Sequence, residues 1–189
     1  MVKKLVLASN SPRRRELLAG LGIPFEVRIL NGIDESYPSS MPVSEVALHI
    51  AGLKADAYRA TMSPDEIIIT ADTVVIVDDE ILGKPVDEAD AYRMLRLLSG
   101  RTHQVTTGVC LVAEGWDKRF SVTTDVTFKI LSDEEINYYI TTYKPFDKAG
   151  AYGIQEWIGY IGVTALKGSY YNVMGLPVQR IYEALNAKQ

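Results

Sequence analysis

The chain has 189 residues, 47% of them hydrophobic and 23% charged, with a net charge of -4. That size suits one domain or two lobes, and the composition excludes a disordered chain. The acidic balance argues against a general nucleic-acid binder, which carries a net basic face, but leaves room for a small anionic ligand held by a local basic cluster.

Taken in chain order, residues 5–8 are a short buried strand. Ser11 then caps a helix with Pro12 at its first position, an apolar face from Leu17, Leu18 and Leu21, and Gly22 as its stop. Residues 25–30 are expected to be a second strand and residues 31–41 a loop. Val43, Val46, Ala47, Ile50, Ala51 and Ala57 fall at helical spacing. Residues 67–70 form a buried strand running up to Asp72, and residues 74–77 continue extended. Asp87 caps a helix with Ala91, Met94, Leu95 and Leu98 inward, stopped at Ser99-Gly100. Residues 103–113 and 119–130 alternate around a turn near Gly115 and predict a hairpin, with Val126, Phe128 and Ile130 on one face. Ser132 and Glu135 form a capping box. Residues 158–166 are expected to be a strand, and the final helix starts near Pro177 with Ile181, Tyr182 and Leu185 inward. Mixed helices and strands with one hairpin give an α/β or α+β sheet.

The single cysteine, Cys110, precludes an intrachain disulfide and fits a reducing compartment. With only His49 and His103 besides, a zinc site of His and Cys is nearly excluded, and any metal should be hard and held by oxygen. Cys110 alternates with apolar neighbours as a core residue would. His49 is expected on a helix and His103 at a strand cap. No apolar run approaches the roughly 18 residues of a membrane span, and residues 5–8 are too few for the apolar part of a signal peptide. A cytoplasmic location, with no membrane or nucleic-acid partner, is expected.

Several residues break local rules, which is where sites are found. Ser9-Asn10-Ser11-Pro12-Arg13-Arg14-Arg15 puts three arginines at a helix start, against the helix dipole. A polyphosphate would reverse the sign of that interaction, drawing in helix N–H groups, serine hydroxyls and guanidinium forks; the plainer alternative is a solvated basic turn. Asp72 follows a buried strand, near the strand ends where ligands of open α/β sheets gather. It could hold a metal or take a proton from water, or cap a turn. Lys54 sits partly on the apolar side of its helix, and Lys84 between Gly83 and Pro85. Asp34-Glu35 lies in a loop, and Asp147 to Gln155 combines charges with two glycines that permit close backbone approach. Trp157, Tyr170 and Tyr171 could stack on a base or pack against neighbours.

Six segments in order resemble the Maf family across essentially the whole chain, from 1 to 189. They are Leu7-Ala8-Ser9-Asn10-Ser11-Pro12-Arg13-Arg14; Ala71-Asp72-Thr73-Val74-Val75; Gly83-Lys84-Pro85; Leu98-Ser99-Gly100-Arg101-Thr102-His103; Asp147 to Gln155; and Gly168-Ser169-Tyr170-Tyr171 with Gly175-Leu176-Pro177. The resemblance implies a single Maf-like domain: a mixed, twisted sheet with flanking helices, in two lobes around a deep cleft, related to the inosine-triphosphate pyrophosphatases. It implies cleavage between the α- and β-phosphates of a nucleotide, with Mg²⁺ or Mn²⁺, and a homodimer is expected from it alone. By the same resemblance Asp72 is the catalytic acid/base, Ser9, Arg13, Arg14, Lys54 and Lys84 line the phosphate cleft, and Arg13, Thr73 and Gln155 match specificity positions. Asp72 with Glu35 or Asp34 would hold the metal. The Asp147 to Gln155 segment looks like the branch acting on dTTP and UTP. A non-catalytic nucleotide sensor linked to septum formation is the alternative. Two departures stand out: Thr70 replaces a glycine usual before Ala71-Asp72, and Glu156 replaces a glycine common after Gln155.

Overall fold

The computed structural model describes residues 4–187. Strand β1 (Lys4–Leu7) is followed by helix α1 (Pro12–Ala19), whose cap is the expected one: the Ser11 hydroxyl accepts the Arg14 N–H. The helix stops at Gly20, earlier than Gly22, so Leu21 lies outside it and is only half-buried. Strand β2 spans Phe25–Val27, shorter than expected. Beyond it the Tyr58 hydroxyl donates to the Arg28 carbonyl at 2.8 Å and accepts the Leu30 N–H at 2.7 Å, so a side chain takes backbone groups a longer strand would have paired.

Helix α2 (Val43–Arg59) buries Val46, Ala47, Ile50, Ala51, Ala55 and Tyr58. Strand β3 (Glu66–Val77) joins the two extended segments into one, so Asp72 lies inside a twelve-residue strand and not at its end. The expectation of a strand end has a partial basis: the parallel pairing of β3 with β1 stops at Ile69. Then come β4 (Glu80–Leu82), α3 (Glu88–Leu98), β5 (Thr102–Ala113) and β6 (Trp116–Phe128). Side-chain hydrogen bonds join Thr102 to Thr127, Gln104 to Asp125 and Thr106 to Thr123, the antiparallel register that a two-residue turn at Glu114-Gly115 dictates. Val126 and Phe128 are buried as expected, but Ile130 is 81% exposed because the strand, and with it the alternation, ends at Phe128.

Helix α4 (Asp133–Tyr143) starts with the expected capping box. A 3₁₀ turn (Ala149–Ala151) leads to α5 (Trp157–Gly162), β7 (Val163–Lys167), α6 (Tyr170–Met174) and α7 (Val178–Asn186). The strand expected over 158–166 is thus half helix. Gly159 permits it: a Cβ there would fall 1.7 Å from the Ile154 carbonyl oxygen, an approach only glycine allows. In α7 the buried residues are Val178, Ile181, Ala184 and Leu185; Tyr182 is off that stripe and 48% exposed.

The seven strands are ordered β2-β1-β3-β5-β6-β7, with β4 paired to β3. β1 runs parallel to β2 and β3, while β4 and β7 pair antiparallel with β3 and β6, giving a mixed sheet. Two compact units are found. One comprises Met1–Asp72, Thr107–Val122 and Gly175–Gln189; the other comprises Thr73–Thr106 and Thr123–Met174. In the first, Val6, Ala8, Ala51, Ala55, Tyr58, Ile68, Cys110 and Val112 form a core. Burial pushes the Cys110 thiol up to about 11, so it stays protonated. In the second, Val75, Leu95, Leu98, Phe128, Ile136, Tyr139, Tyr152 and Ile158 lead a larger core. Each fully buried large side chain there is worth roughly 1.5–3 kcal/mol of transfer free energy. His103 is inside β5 and 1% exposed, a core residue where a strand cap was expected.

Candidate active site

In the first unit, helix α2 and strand β3 set Lys54 against Asp72. The ammonium donates to Asp72 Oδ1 at 2.8 Å and lies 3.3 Å from Glu35 Oε1. The lysine and aspartate side chains are 15% and 17% exposed, so this pair is partly desolvated and less screened by salt than a surface ion pair. Two features fix the geometry. Thr70 donates its hydroxyl to the Ala51 carbonyl at 2.7 Å, tying β3 to α2 one turn before Lys54. The Tyr58 contacts described above, one turn after Lys54, hold the start of the loop that carries Glu35.

Arg14 lies in the same cluster. Its Nε donates to the Gly175 carbonyl at 2.8 Å and its Nη1 to the Ala71 carbonyl at 2.9 Å. Burial lowers its guanidinium from the ordinary value; the charges of Asp72 and Glu35 oppose that, and Arg13 adds to it. Arg13, Arg14, Glu35, Lys54 and Asp72 therefore share one electrostatic neighbourhood. Ser9 and the tip of α1 are partly engaged internally: the Ser9 hydroxyl accepts the Ser11 N–H at 3.2 Å and the Ser11 hydroxyl accepts that of Arg14.

Asp34 and Glu35 behave differently. Asp34 Oδ1 accepts the Ser36 N–H at 2.9 Å, and hydrogen bonds from Ser36 hold its carboxyl below the usual range. It serves its own loop, while Glu35 faces Lys54. Among the described residues no group of three or more His, Cys, Asp or Glu side chains is arranged to hold a metal. Asp72 and Glu35 still fit Mg²⁺ or Mn²⁺, because both approach one ammonium and because Mg²⁺ is commonly held by one or two carboxylates plus substrate phosphates.

Thr73, Lys84 and Gln155 belong to the second unit. Lys84 is exposed in the turn after β4, and the preceding Gly83 carbonyl accepts the Gly150 N–H at 3.0 Å, joining that turn to the segment leading to Gln155. Gly150 needs its positive φ of 68°, and a Cβ on it would meet Val75 at 2.9 Å. Gln155 Oε1 is buried and accepts no hydrogen bond among the described residues. Around it lie three residues with less obvious roles. The Tyr139 hydroxyl accepts the Gly153 N–H at 3.0 Å and donates to the Glu156 carboxylate. Lys148 reaches Glu156 at 3.1 Å and Asp147 at 2.8 Å. Glu156 carries a sequence signal as a departure from glycine, and Lys148 lies in the charged Asp147 to Gln155 segment; Tyr139 carries none. Trp157 packs edge-on against Tyr138, and Tyr170 against Tyr171. Among the described residues no helix is long and apolar enough to cross a membrane.

Residues 4–188 match the family described as Maf-like protein. The chain is 63% identical over 182 residues to the dTTP/UTP pyrophosphatase of Phocaeicola vulgatus, covering 96% of this chain and 94% of that one. It is 59% identical over 182 residues to the dTTP/UTP pyrophosphatase of Parabacteroides distasonis, with the same coverage. The Staphylococcus aureus Ham1 protein has a similar fold, at a TM-score of 0.56 and 15% identity, covering 99% of this chain and 100% of that one.

Proposed function

The chain belongs to the Maf-like protein family, and from that membership and the charge cluster of the first unit we infer that it hydrolyses dTTP and UTP to the nucleoside monophosphate and diphosphate. The observation that carries this reading is the Lys54 ammonium bound at 2.8 Å to Asp72 and 3.3 Å from Glu35, within the field of Arg14. Water attacks the α-phosphorus, the bond from that phosphorus to the bridging oxygen breaks, and diphosphate leaves with the electron pair. Asp72 takes the proton from the attacking water. Lys54, Arg13 and Lys84 stabilise the charge that develops on the leaving phosphates, and the Ser9 hydroxyl adds a donor. Arg14 holds the Ala71 carbonyl, and so orients Asp72 from the adjacent residue. Asp72 and Glu35 are the residues that would hold a divalent cation, which when bound neutralises phosphate charge. Asp34 is left out of that set because its carboxylate is turned to Ser36.

Gln155 reads the base. An amide oxygen with no partner complements the N3–H of thymine or uracil, and the amide N–H₂ complements a ring carbonyl. Thr73 and Arg13 are the further specificity positions.

Diphosphate release from dTTP, UTP, CTP and purine triphosphates with Mg²⁺ or Mn²⁺ tests the reading. Wild-type protein is expected to favour dTTP and UTP, and Asp72→Asn to lose roughly a hundredfold or more in kcat while staying folded, as a cooperative melting transition checks. Asp72→Asn turnover at the wild-type rate overturns the assignment of the base. Nucleotide-induced thermal stabilisation with no diphosphate released favours a sensor instead.

A further inference from the structure

Gln155 alone does not explain a preference for thymine and uracil over cytosine. A carboxamide that is free to turn over offers its oxygen or its N–H₂ to either edge, so it accommodates the N3–H of uracil and the N3 acceptor of cytosine alike. Discrimination requires that the oxygen, and not the N–H₂, be presented to the base and be left without a competing donor.

The second unit holds such a competing donor, already restrained. A Cβ placed on Gly153 would meet three side chains at once: Lys148 Cε at 3.0 Å, Glu156 Cδ at 3.1 Å and Gln155 Oε1 at 3.2 Å. The end of the Lys148 side chain and the Gln155 oxygen therefore flank the same small space. Lys148 is 8% exposed, too buried to satisfy its ammonium in water. Its charge goes to Glu156 at 3.1 Å and Asp147 at 2.8 Å. Glu156 in turn is held by the buried Tyr139 hydroxyl, which also fixes the Gly153 N–H. Nothing donates to Gln155 Oε1 among the described residues, although a cation with three N–H groups is its neighbour across Gly153.

We propose that Glu156 is a specificity-determining residue: with Tyr139 it holds the Lys148 ammonium away from Gln155, and so keeps the amide oxygen open for the N3–H of a pyrimidine. The inference rests on the reading of Gln155 as the base-reading residue. Without the Glu156 carboxylate, Lys148 keeps Asp147 at 2.8 Å, and the N–H released from Glu156 turns to the unpartnered acceptor across Gly153, Gln155 Oε1. The amide then presents its N–H₂ to the base, which suits cytosine N3 and opposes thymine N3–H.

The test is the ratio of kcat/KM for dTTP to that for dCTP in wild type, Glu156→Gln, Lys148→Met, the double variant and Gln155→Ala, each with its melting temperature. Glu156→Gln keeps an acceptor for Tyr139 and is expected to fold, and to lower the ratio roughly tenfold, the scale of one displaced hydrogen bond to a charged group. Lys148→Met removes the competitor and is expected to leave the ratio within twofold. The double variant is expected to recover the wild-type ratio, which simple damage to the loop cannot produce. A double variant as unselective as Glu156→Gln overturns the proposal, as does an unchanged ratio in Glu156→Gln when Gln155→Ala has lost it. If Gln155→Ala itself keeps the wild-type ratio, the base reading fails and this inference falls with it.

Discussion

Lowering the pH from 7 to 5 acts on the second unit through His103. The ring is 1% exposed, its Nε2 lies 2.6 Å from the Tyr152 hydroxyl, and its faces and edges meet Phe128 and Tyr152 at centroid distances of 5.2 and 5.4 Å. Burial holds the imidazole neutral, pulling it down from 6.5 to about 4. The unfolded chain takes up a proton below about 6.5, whereas the native protein resists it until about 4. In that window the unfolded state binds more protons, so stability is full above pH 6.5 and is lost as the pH falls toward 4. At 1.36 kcal/mol per pH unit for one proton, going to pH 5 costs about 2 kcal/mol and the whole window about 3 kcal/mol. Against a typical total of roughly 5–15 kcal/mol that is a large share.

Urea unfolding of wild type and His103→Phe at pH 7 and pH 5 isolates the effect. Phenylalanine keeps an aromatic ring between Phe128 and Tyr152 but cannot titrate. It leaves the Tyr152 hydroxyl without its partner, a loss of about 1–3 kcal/mol that does not vary with pH over this range. Carboxylates such as Glu66 and Asp117, held low by arginines, titrate alike in both proteins and cancel. Wild type is expected to be the more stable at pH 7, by a margin that shrinks by about 2 kcal/mol at pH 5. An unchanged margin would refute the claim that His103 is buried neutral.

Two further outcomes follow from the first unit. Glu35→Gln is expected to raise the Mg²⁺ or Mn²⁺ concentration needed for half-maximal diphosphate release by roughly tenfold or more, and Asp34→Asn to change it less than twofold, since Asp34 is committed to Ser36; equal effects would contradict the division of labour between the two acids. Gly108→Ala is expected to cost about 3 kcal/mol or more in urea unfolding, because its Cβ would fall 2.3 Å from Leu48 Cα and 2.5 Å from the Ala47 carbonyl carbon, backbone atoms that cannot step aside. An unchanged urea midpoint would mean that α2 and β5 are not so closely apposed.

Legibility in the sequence followed the range of the interaction concerned. Caps are local, so Ser11, Asp87 and the Ser132/Glu135 box stand where the sequence puts them. The hairpin is local too, and its register follows from its turn. Residues 158–166 differ from the expected strand because an apolar run of that length suits a strand or a helix, and the arbiter is the contact of Gly159 with Ile154, which no periodicity contains. Ile130 and Tyr182 extend correct patterns one step too far, past a strand end and off a helix stripe. In the candidate site, the residues came from motifs, but which ones meet did not. Nothing in Asp34-Glu35 says that the first acid serves its own loop and the second faces Lys54. Tyr139 was invisible because a buried tyrosine on an apolar helix face looks like core; its function lies in a hydroxyl that bonds Gly153 and Glu156 from another element.

Arg14 was expected to be a phosphate ligand, and its geometry argues for a different division of work. Two of its donors are committed to the Gly175 and Ala71 carbonyls, a planar fork spanning two backbone segments that a lysine could not match. Its charge, however, remains in the cluster, felt by Asp72 and Glu35. It contributes to the field by staying still. The cations able to turn toward a ligand are those without that anchoring pair of carbonyls, above all Lys54, which neutralises two carboxylates through a flexible stem. Counted together, Arg13, Arg14 and Lys54 against Glu35 and Asp72 leave the cluster with one excess positive charge, in a chain whose net charge is -4. Local sign and overall sign are opposite. A polyphosphate is therefore drawn to this cluster while the rest of the surface repels it, and association should weaken with salt through the few charges of this cluster and not through the chain's overall charge.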